Sequence, residues 1–464
     1  MRTLFSKGII GMSALAVMGL ASCTNENDPM GGNGQAAEPG EPTRVTLNLD
    51  LNSAPSTRGI VDANATKEET KITHLNVFIY DKNGVLENAQ KIMMADLTDA
   101  GDNVYTTNEL TATTGAKTVY VGLNMTDAMV AKLKATAAQN LPSTAVQVAL
   151  GDLTNKTDGF VMFSTQGENA TFEALGEGGA LPAANKVKIQ VERLASKIAV
   201  GCEGKITDIQ QGAAGTIQNL RFVVDNINTL NYFPYAENTP MDPNMKKEAY
   251  DENDFVVEDD FTAADVEWNA ITPETTDRET WKSAYSAENV TTDKEMMGIT
   301  RVVVQGEFIP ATLIEKKEAD GQVTWEETPN RNTTPVTFIQ LEFAEAGGYA
   351  FFADGTTDDV LKEYMAYKKG VAKDNITATD LTAAKKVYTD GYNYWWITTK
   401  NGRGDIVRNN FYQVNITSIW APGRTDGEFD PDKDNEKVDE ETNIEFTVTV
   451  EPWNLVEQDT ELRP

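Results

Sequence analysis

Residues 45–51 read Val-Thr-Leu-Asn-Leu-Asp-Leu, a stretch in which apolar and polar side chains alternate without interruption. Because successive side chains of a β-strand point to opposite faces, this pattern puts all four apolar residues on one face. Residues 444–450 read Ile-Glu-Phe-Thr-Val-Thr-Val and repeat the pattern. The apolar positions are Val45, Leu47, Leu49 and Leu51 in the first segment, and Ile444, Phe446, Val448 and Val450 in the second. The sequence therefore predicts two half-buried strands of matching spacing.

Between these segments, β-like runs recur with few intervening helices. The predicted strands include residues 75–80, 118–123, 186–191, 196–200, 301–308 and 411–419. Helical insertions are predicted at residues 127–138, 358–369 and 380–387. So many strands with so few helices argue against a parallel α/β sheet, and they predict an all-β chain of antiparallel sandwiches with short helical insertions.

The length of the chain, 464 residues, exceeds that of one ordinary domain. Two tandem sandwiches are predicted, at residues 59–201 and 202–464, with the boundary near Gly201. Residues 421–443 are dominated by Asp, Glu, Lys and Thr, a composition that favours a solvated linker. The second alternating strand, within residues 444–464, would then lie on a flexible arm.

The composition excludes several classes of function. Lys and Arg total 40 against 71 Asp and Glu, a net charge of -31, so nucleic acid is an unsuitable partner. His74 is the single histidine, which removes the commonest general base and zinc ligand. Cys202 has no charged neighbour that would activate its thiol, and we expect it to be inert packing. The sequence predicts no enzyme, no cofactor and no metal site.

The first 23 residues are typical of a lipoprotein signal peptide. Arg2 and Lys7 precede an apolar run from Gly8 to Gly19, and the chain then reads Leu20-Ala21-Ser22-Cys23. We expect cleavage after residue 22 and attachment of a diacylglycerol to the thiol of Cys23. The apolar run is too short for a stable membrane span, so the lipid would be the only membrane attachment. The alternative is an ordinary cleaved signal followed by a chance cysteine.

A cleavable segment follows the first alternating strand. Residues 54–59 read Ala-Pro-Ser-Thr-Arg-Gly, a small, polar and exposed stretch suited to a trypsin-like cut between Arg58 and Gly59. Residues 23–44 would be a flexible tether, and residues 45–58 a propeptide strand lost on maturation. Its loss would leave a groove with unpaired backbone groups, which the arm of another copy could fill by strand addition. Alternatively, both strands belong permanently to their own domains.

Several motifs resemble the type V pilus subunits, or fimbrillins, of Bacteroidia, and in particular the major shaft subunit of the short Mfa-type fimbria. They are the lipobox at Cys23, Ser56-Thr57-Arg58-Gly59, residues 191–197 (Val-Glu-Arg-Leu-Ala-Ser-Lys), residues 406–412 (Ile-Val-Arg-Asn-Asn-Phe-Tyr) and residues 448–453 (Val-Thr-Val-Glu-Pro-Trp). Their order along the chain carries the resemblance.

The resemblance implies two transthyretin-like sandwiches, export as a lipoprotein to the outer membrane and display in a cell-surface fimbria. It also implies that an arginine-specific protease cuts at Arg58 and displaces the strand Val45–Leu51. Copies would then polymerise through a donor strand that includes Ile444, Phe446, Val448, Val450, Trp453 and Leu455. Other fimbrial subunits would be further partners. The alternatives are an accessory or tip subunit, or a monomeric surface lipoprotein that binds glycan or host protein.

Three further motifs have two interpretations each. Arg403-Gly404-Asp405 is either a tripeptide that surface receptors recognise or part of a plain loop. Residues 430–441 have acidic residues at the spacing of a calcium loop but lack its central glycine, so a solvated linker is favoured. Trp395 and Trp396 could stack on sugar rings or cover a sandwich core.

Mapping the N-terminus of protein extracted from the cell surface tests the processing scheme. We expect fibrous material to begin at Gly59, because the cut after Arg58 precedes polymerisation. Uncut precursor should begin at the lipid-modified Cys23, and mass spectrometry of the N-terminal peptide separates the two. A Cys23 start in assembled material would instead indicate an anchor subunit or a monomer.

Overall fold

The computed structural model describes residues 40–50, 66–101, 104–164, 166–204, 214–235, 240–241, 243–246, 251–290, 298–343, 348–398, 405–419, 421–428 and 444–452. Strands dominate these residues, which confirms the predicted all-β fold, and they form two layered units in tandem. The helices are α1 (Lys67–Thr70), α2 (Asp127–Lys134), α3 (Leu150–Leu153), α4 (Asp358–Lys369) and α5 (Ala378–Ala384).

Two sheets pack face to face in the first unit. Its strands are β1 (Pro42–Asp50), β2 (His74–Asp81), β3 (Leu86–Met93), β4 (Thr98–Asp99), β5 (Val104–Thr106), β6 (Leu110–Thr113), β7 (Gly115–Leu123), β8 (Val146–Gln147), β9 (Met162–Phe163), β10 (Glu168–Phe172), β11 (Lys186–Gln190) and β12 (Glu192–Arg193). One sheet has the order β11-β1-β5-β4, with β6 also paired to β1, and the other has the order β12-β9-β7-β2-β3, with β10 paired to β7. The core between them joins Leu47 of β1 to Val77 of β2 and Val121 of β7.

The second unit adds a third layer to its sandwich. Its strands are β13 (Ala195–Gly201), β14 (Gly215–Asp225), β15 (Ile227–Asn228), β16 (Leu230–Asn231), β17 (Phe255–Val256), β18 (Asn269–Ala270), β19 (Lys282–Ala287), β20 (Arg301–Pro310), β21 (Thr312–Ala319), β22 (Gln322–Pro329), β23 (Phe338–Phe343), β24 (Gly348–Ala353), β25 (Lys385–Tyr388), β26 (Tyr392–Thr398), β27 (Asn410–Ile419) and β28 (Ile444–Pro452). Sheets β19-β13-β27-β28 and β18-β14-β20-β26 enclose a core around Phe222 and Val414. Helices α4 and α5 pack against the sheet β24-β23-β25 around Leu361.

The predicted domain boundary near Gly201 is too late in the chain. Strand β13 pairs in parallel with β27, with Lys197 beside Phe411, and antiparallel with β19. Its backbone hydrogen bonds therefore belong to the second unit, and the boundary falls between β12 and β13. Two strand pairs, β13 with β27 and β1 with β11, are parallel within otherwise antiparallel sheets.

Local signals account for the helix ends and for one long hairpin. Helix α4 has the predicted bounds, because Thr357 caps its first turn and Gly370, at φ 66°, ends it in the left-handed region. Helix α5 ends earlier than predicted, since Lys385–Tyr388 pair with β23 as strand β25. Strands β21 and β22 are joined by Asp320 and Gly321, both at positive φ, as a type I′ turn requires.

Buried charges join the two units. The carboxylate of Glu69 in α1 lies 3.0 Å from Lys197 Nζ and accepts a 2.6 Å hydrogen bond from Tyr285. Within the second unit, the guanidinium of Arg408 lies 2.7 Å from Glu288, with both side chains 1% exposed. Because an unpaired buried charge is costly, each pair holds its two elements in one arrangement. Motif residues 191–197 and 406–412 also meet at the junction of the units, where Asn409 N donates to Ala195 O and Asn409 Oδ1 accepts from Arg193 N.

A third buried carboxyl at this junction predicts a pH dependence of stability. Burial raises the pKa of Glu192 to about 7, although nearby Arg408 acts in the opposite direction. Among the residues that the structure describes, Glu192 Oε1 has no hydrogen-bond partner. Since an unfolded glutamate has a pKa of about 4.3, the folded chain holds the extra proton between these values. This carboxyl therefore lowers stability as pH rises from about 5 to 7.

The variant Glu192→Gln should remove that penalty. Its free energy of unfolding, minus that of the wild type, should increase between about pH 5 and pH 8 by on the order of 2 kcal/mol. Urea unfolding at each pH measures this difference. The exposed control Glu177→Gln should show no such trend, and a flat difference for Glu192→Gln would contradict the assignment.

Candidate functional site

Strand β1 is an interior strand of the first unit rather than an edge strand. It pairs in parallel with β11 along one side, with Leu47 beside Val187 and Leu49 beside Ile189. On the other side, its first half pairs antiparallel with β6 and its second half with β5. Between those two halves, Thr107 N donates to Leu47 O and Thr107 Oγ1 accepts from Leu47 N, both at 3.0 Å. The groove that holds β1 therefore satisfies backbone groups on both sides.

The inner face of β1 fills the apolar floor of this groove. Val45, Leu47 and Leu49 are 0%, 2% and 2% exposed and pack against β2, β7 and β11. Burial of each such side chain contributes about 1.5–3 kcal/mol. The alternation read from the sequence thus corresponds to a row of three filled apolar positions in this sheet.

A buried polar contact holds the start of β1. The side chain of Asn185 is 0% exposed, and its Nδ2 donates to Thr43 Oγ1 at 3.0 Å, to Arg44 O at 2.8 Å and to Glu173 O at 3.0 Å. The Thr43 hydroxyl in turn donates to Glu173 O at 2.7 Å. Asn185 Oδ1 accepts from Glu173 N at 2.8 Å. The carboxamide is therefore satisfied only while a strand occupies the groove.

The outer face of β1 is polar and partly exposed. Asp50 forms a 2.7 Å ion pair with Lys188, whose side chain is 65% exposed, and Thr106 donates to Asn48 at 2.9 Å. Arg44 pairs with Glu109 and donates to Gly179 O. Exposed ion pairs of this kind contribute little to stability, so the inner face and Asn185 dominate the retention of β1.

The second alternating segment lies elsewhere in this chain. Strand β28 pairs antiparallel with β27, from Ile444 beside Ile419 to Pro452 beside Asn410. Among the described strands, β28 pairs with β27 alone and so forms the edge of its sheet. The backbone positions of Ile444, Phe446, Val448 and Val450 are thus held on one side only.

Several predicted site residues lie outside the described part of the chain. These are Cys23, Leu51, Arg58, Gly59, Arg403, Gly404, the acidic residues 430–441, Trp453 and Leu455. Asp405, the last residue of the receptor-type tripeptide, is described and partly buried. Their predicted roles stay predictions.

The structure contradicts the sugar-stacking interpretation of the paired tryptophans. Trp395 and Trp396 are 2% and 9% exposed, and their indole nitrogens donate to Ala421 O and Gly427 O. Their rings are therefore unavailable to a ligand.

Cys202 is buried, and burial raises the pKa of its thiol. Within the described ranges, no cluster of three or more His, Cys, Asp or Glu side chains is placed to hold a metal ion.

No helix in the described part of the chain is long and apolar enough to cross a membrane.

Sequence reasoning missed Asn185, whose side chain donates to both Thr43 and Arg44 at the start of β1. Its position after the loop 173–184 resembles any polar turn residue, and Thr43 lies 142 residues away. No local pattern signals such a contact.

Comparison with known proteins identifies two matching families. The family described as Major fimbrial subunit protein (FimA) matches residues 43–193, which run from β1 to the last strand of the first unit. The family described as Major fimbrial subunit protein type IV, Fimbrillin, C-terminal matches residues 386–459, which include β26, β27 and β28. No curated protein matches the chain.

Similar solved structures include a fimbrilin of Porphyromonas gingivalis, 14% identical with a TM-score of 0.42, covering 90% of this chain and 99% of that one. A candidate cell adhesion protein of Parabacteroides distasonis is 12% identical with a TM-score of 0.49, covering 89% and 100%. A C-terminally truncated tip fimbrial protein of Porphyromonas gingivalis is 11% identical with a TM-score of 0.38, covering 88% and 100%.

The variant Leu47→Ala tests how strongly the groove depends on its apolar floor. Removing a buried leucine side chain from the middle of β1 should lower the free energy of unfolding by about 2–5 kcal/mol. Urea unfolding of the uncut chain measures the loss. The control Thr46→Ala, on the outer face, should cost about 1 kcal/mol or less, and equal losses for both variants would contradict the inward placement of Leu47.

Proposed function

This chain belongs to the fimbrillin family of major fimbrial subunits, as predicted from its sequence, and from that premise we propose that it is a shaft subunit assembled by protease-triggered donor-strand exchange. The matched families are structural subunits rather than enzymes. In this proposal the precursor is exported, receives its lipid on Cys23, reaches the outer membrane and is cut at Arg58. The arm that carries β28 then enters the first unit of a neighbouring copy.

The observation that carries the proposal is the position of β1. A strand with neighbours on both sides and three buried apolar side chains leaves, when removed, a deep groove with two unpaired backbone edges. The alternation at residues 444–450 matches the alternation of β1. A second copy therefore offers a segment with the spacing that this groove requires.

Cleavage changes which strand the groove retains. While β1 is covalently joined to the rest of the unit, it competes for the groove as an intramolecular segment at high effective concentration. A cut at Arg58 would convert β1 into part of a separate propeptide. Mass action then favours the arm of a neighbouring copy, whose local concentration on a membrane surface is high.

The arm gains backbone pairing when it moves. In the structure β28 pairs along one side, with β27. In place of β1 it would pair with β11 on one side and with β5 and β6 on the other. Each added hydrogen bond contributes about 0.5–1.5 kcal/mol, so a second row of such bonds favours the groove over the edge of β27.

The variant Arg58→Ala tests the trigger. Treated with an arginine-specific protease, the wild-type precursor should lose residues up to Arg58 and form a ladder of oligomers that resists SDS. Arg58→Ala should stay monomeric, because β1 remains attached. Gel electrophoresis after a time course measures both results. The exposed arginine at position 331 provides the matched control, since Arg331→Ala should assemble as the wild type does.

Deletion of residues 444–464 tests the donor. The shortened chain should be cut normally and yet form no ladder, because its neighbours receive no strand. Circular dichroism should show that both units remain folded. Assembly of the shortened chain would show that another segment joins the copies and would end the proposal.

A further inference from the structure

We propose that Asn185 sets the register of the incoming strand by binding the hydroxyl of Thr442 from a neighbouring copy, in the place that Thr43 occupies before cleavage. The inference rests on the donor-strand exchange proposed above. It adds the alignment of the two strands and names the groove residue that selects it.

The loss of β1 would remove two of the three acceptors that share the two N–H hydrogens of Asn185 Nδ2. Its contacts with Glu173 N and O stay within the unit, whereas Thr43 Oγ1 and Arg44 O leave with the propeptide. Any incoming strand supplies a backbone carbonyl at the position of Arg44. Only a residue with a hydroxyl supplies the second partner and also donates to Glu173 O as Thr43 does.

The arm carries such a residue at the required spacing. Thr442 precedes Ile444 by two positions, as Thr43 precedes Val45. With Thr442 in the place of Thr43, the apolar residues 444, 446 and 448 fall in the places of residues 45, 47 and 49. Polar and apolar positions of the two strands then coincide throughout.

Shifted alignments fail at Asn185. Moving the arm by two residues in one direction puts Ile444 against the buried carboxamide, and moving it two residues in the other puts Thr442 into the apolar place of Val45. A shift of one residue turns the polar face inward. A reversed strand that keeps the apolar row in place brings Val450 or Pro452 to the position of Thr43. The wrong alignments lose the two hydrogen bonds of a buried hydroxyl, to Asn185 Nδ2 and to Glu173 O, and these outweigh what an exposed ion pair on the outer face contributes.

Neighbouring groups fit the same alignment. Lys186 lies beside residue 46 in β11, and Glu445 would occupy that position. Residues 429–452 contain nine carboxylates and two lysines, so a lysine on the rim of the groove is electrostatically suited to them. Thr107, in contrast, forms its hydrogen bonds with β1 through the backbone of Leu47, so it accepts any register.

Competition by synthetic peptides tests the register on the full chain. Peptides of residues 440–452 are added while the precursor is cut at Arg58, and the concentration that halves ladder formation is measured. The concentration of the Thr442→Val peptide that halves ladder formation should be higher than that of the wild-type peptide by a factor of about ten or more. Thr442→Ser keeps the hydroxyl, and Thr449→Val changes the outer face, so both should stay within about twofold of the wild type.

A change on the acceptor side separates a direct contact from a general effect of valine. In the precursor variant Asn185→Leu, the preference for the wild-type peptide over the Thr442→Val peptide should shrink, because the threonine hydroxyl then keeps only its hydrogen bond to Glu173 O. Equal potency of the two peptides on the wild-type precursor would overturn the register while leaving the exchange intact. A wild-type peptide that fails to block assembly, with assembly also unaffected by the 444–464 deletion, would overturn both.

Discussion

An interior strand of a β-sheet must satisfy the backbone groups of two neighbours at once, and this requirement governs the first unit. Strand β1 meets it for β11 on one side and for β5 and β6 on the other. The opposite sheet depends on β1 as well, because Leu47 and Leu49 cover its apolar face. The unit is therefore complete only with a strand in this place. Which chain supplies that strand is left open by the contacts, since most are to backbone or to a generic apolar row.

Affinity and selectivity come from different parts of the groove. The apolar floor and the backbone ladders would retain many alternating strands, including ones displaced by two residues. Asn185 differs because its carboxamide is buried and, together with Glu173 O, hydrogen-bonds a hydroxyl at the position of Thr43. One polar side chain in a mostly apolar groove thus restricts the register, at the expense of stability whenever its partner is missing.

Patterns of neighbouring residues predicted the strands and helices that they specify. Features that depend on residues far apart in the sequence were not predicted. Alternation identified β1 and β28, and helical periodicity identified α4, whose ends the Thr357 cap and Gly370 fix. The Asp320-Gly321 pair was a usable signal for the hairpin β21–β22, but its mostly exposed, charged strands lack the apolar alternation that marks a buried one. Membership of β13 in the second unit depends on Phe411, and the role of Asn185 depends on Thr43. Neither partner is visible from the surrounding sequence.

The contacts of α1 limit what a cut at Arg58 could release. Thr66 and Glu69 form a capping box, and the same Glu69 carboxylate is buried against Lys197 and Tyr285 of the second unit. An uncompensated charge at this junction would be costly, so α1 is held in place independently of β1. Helix α1 is thereby fastened across both units, whereas β1 is fastened within the groove alone. The strand that can be exchanged and the segment that must remain are separated by residues 51–65, the stretch that contains Arg58.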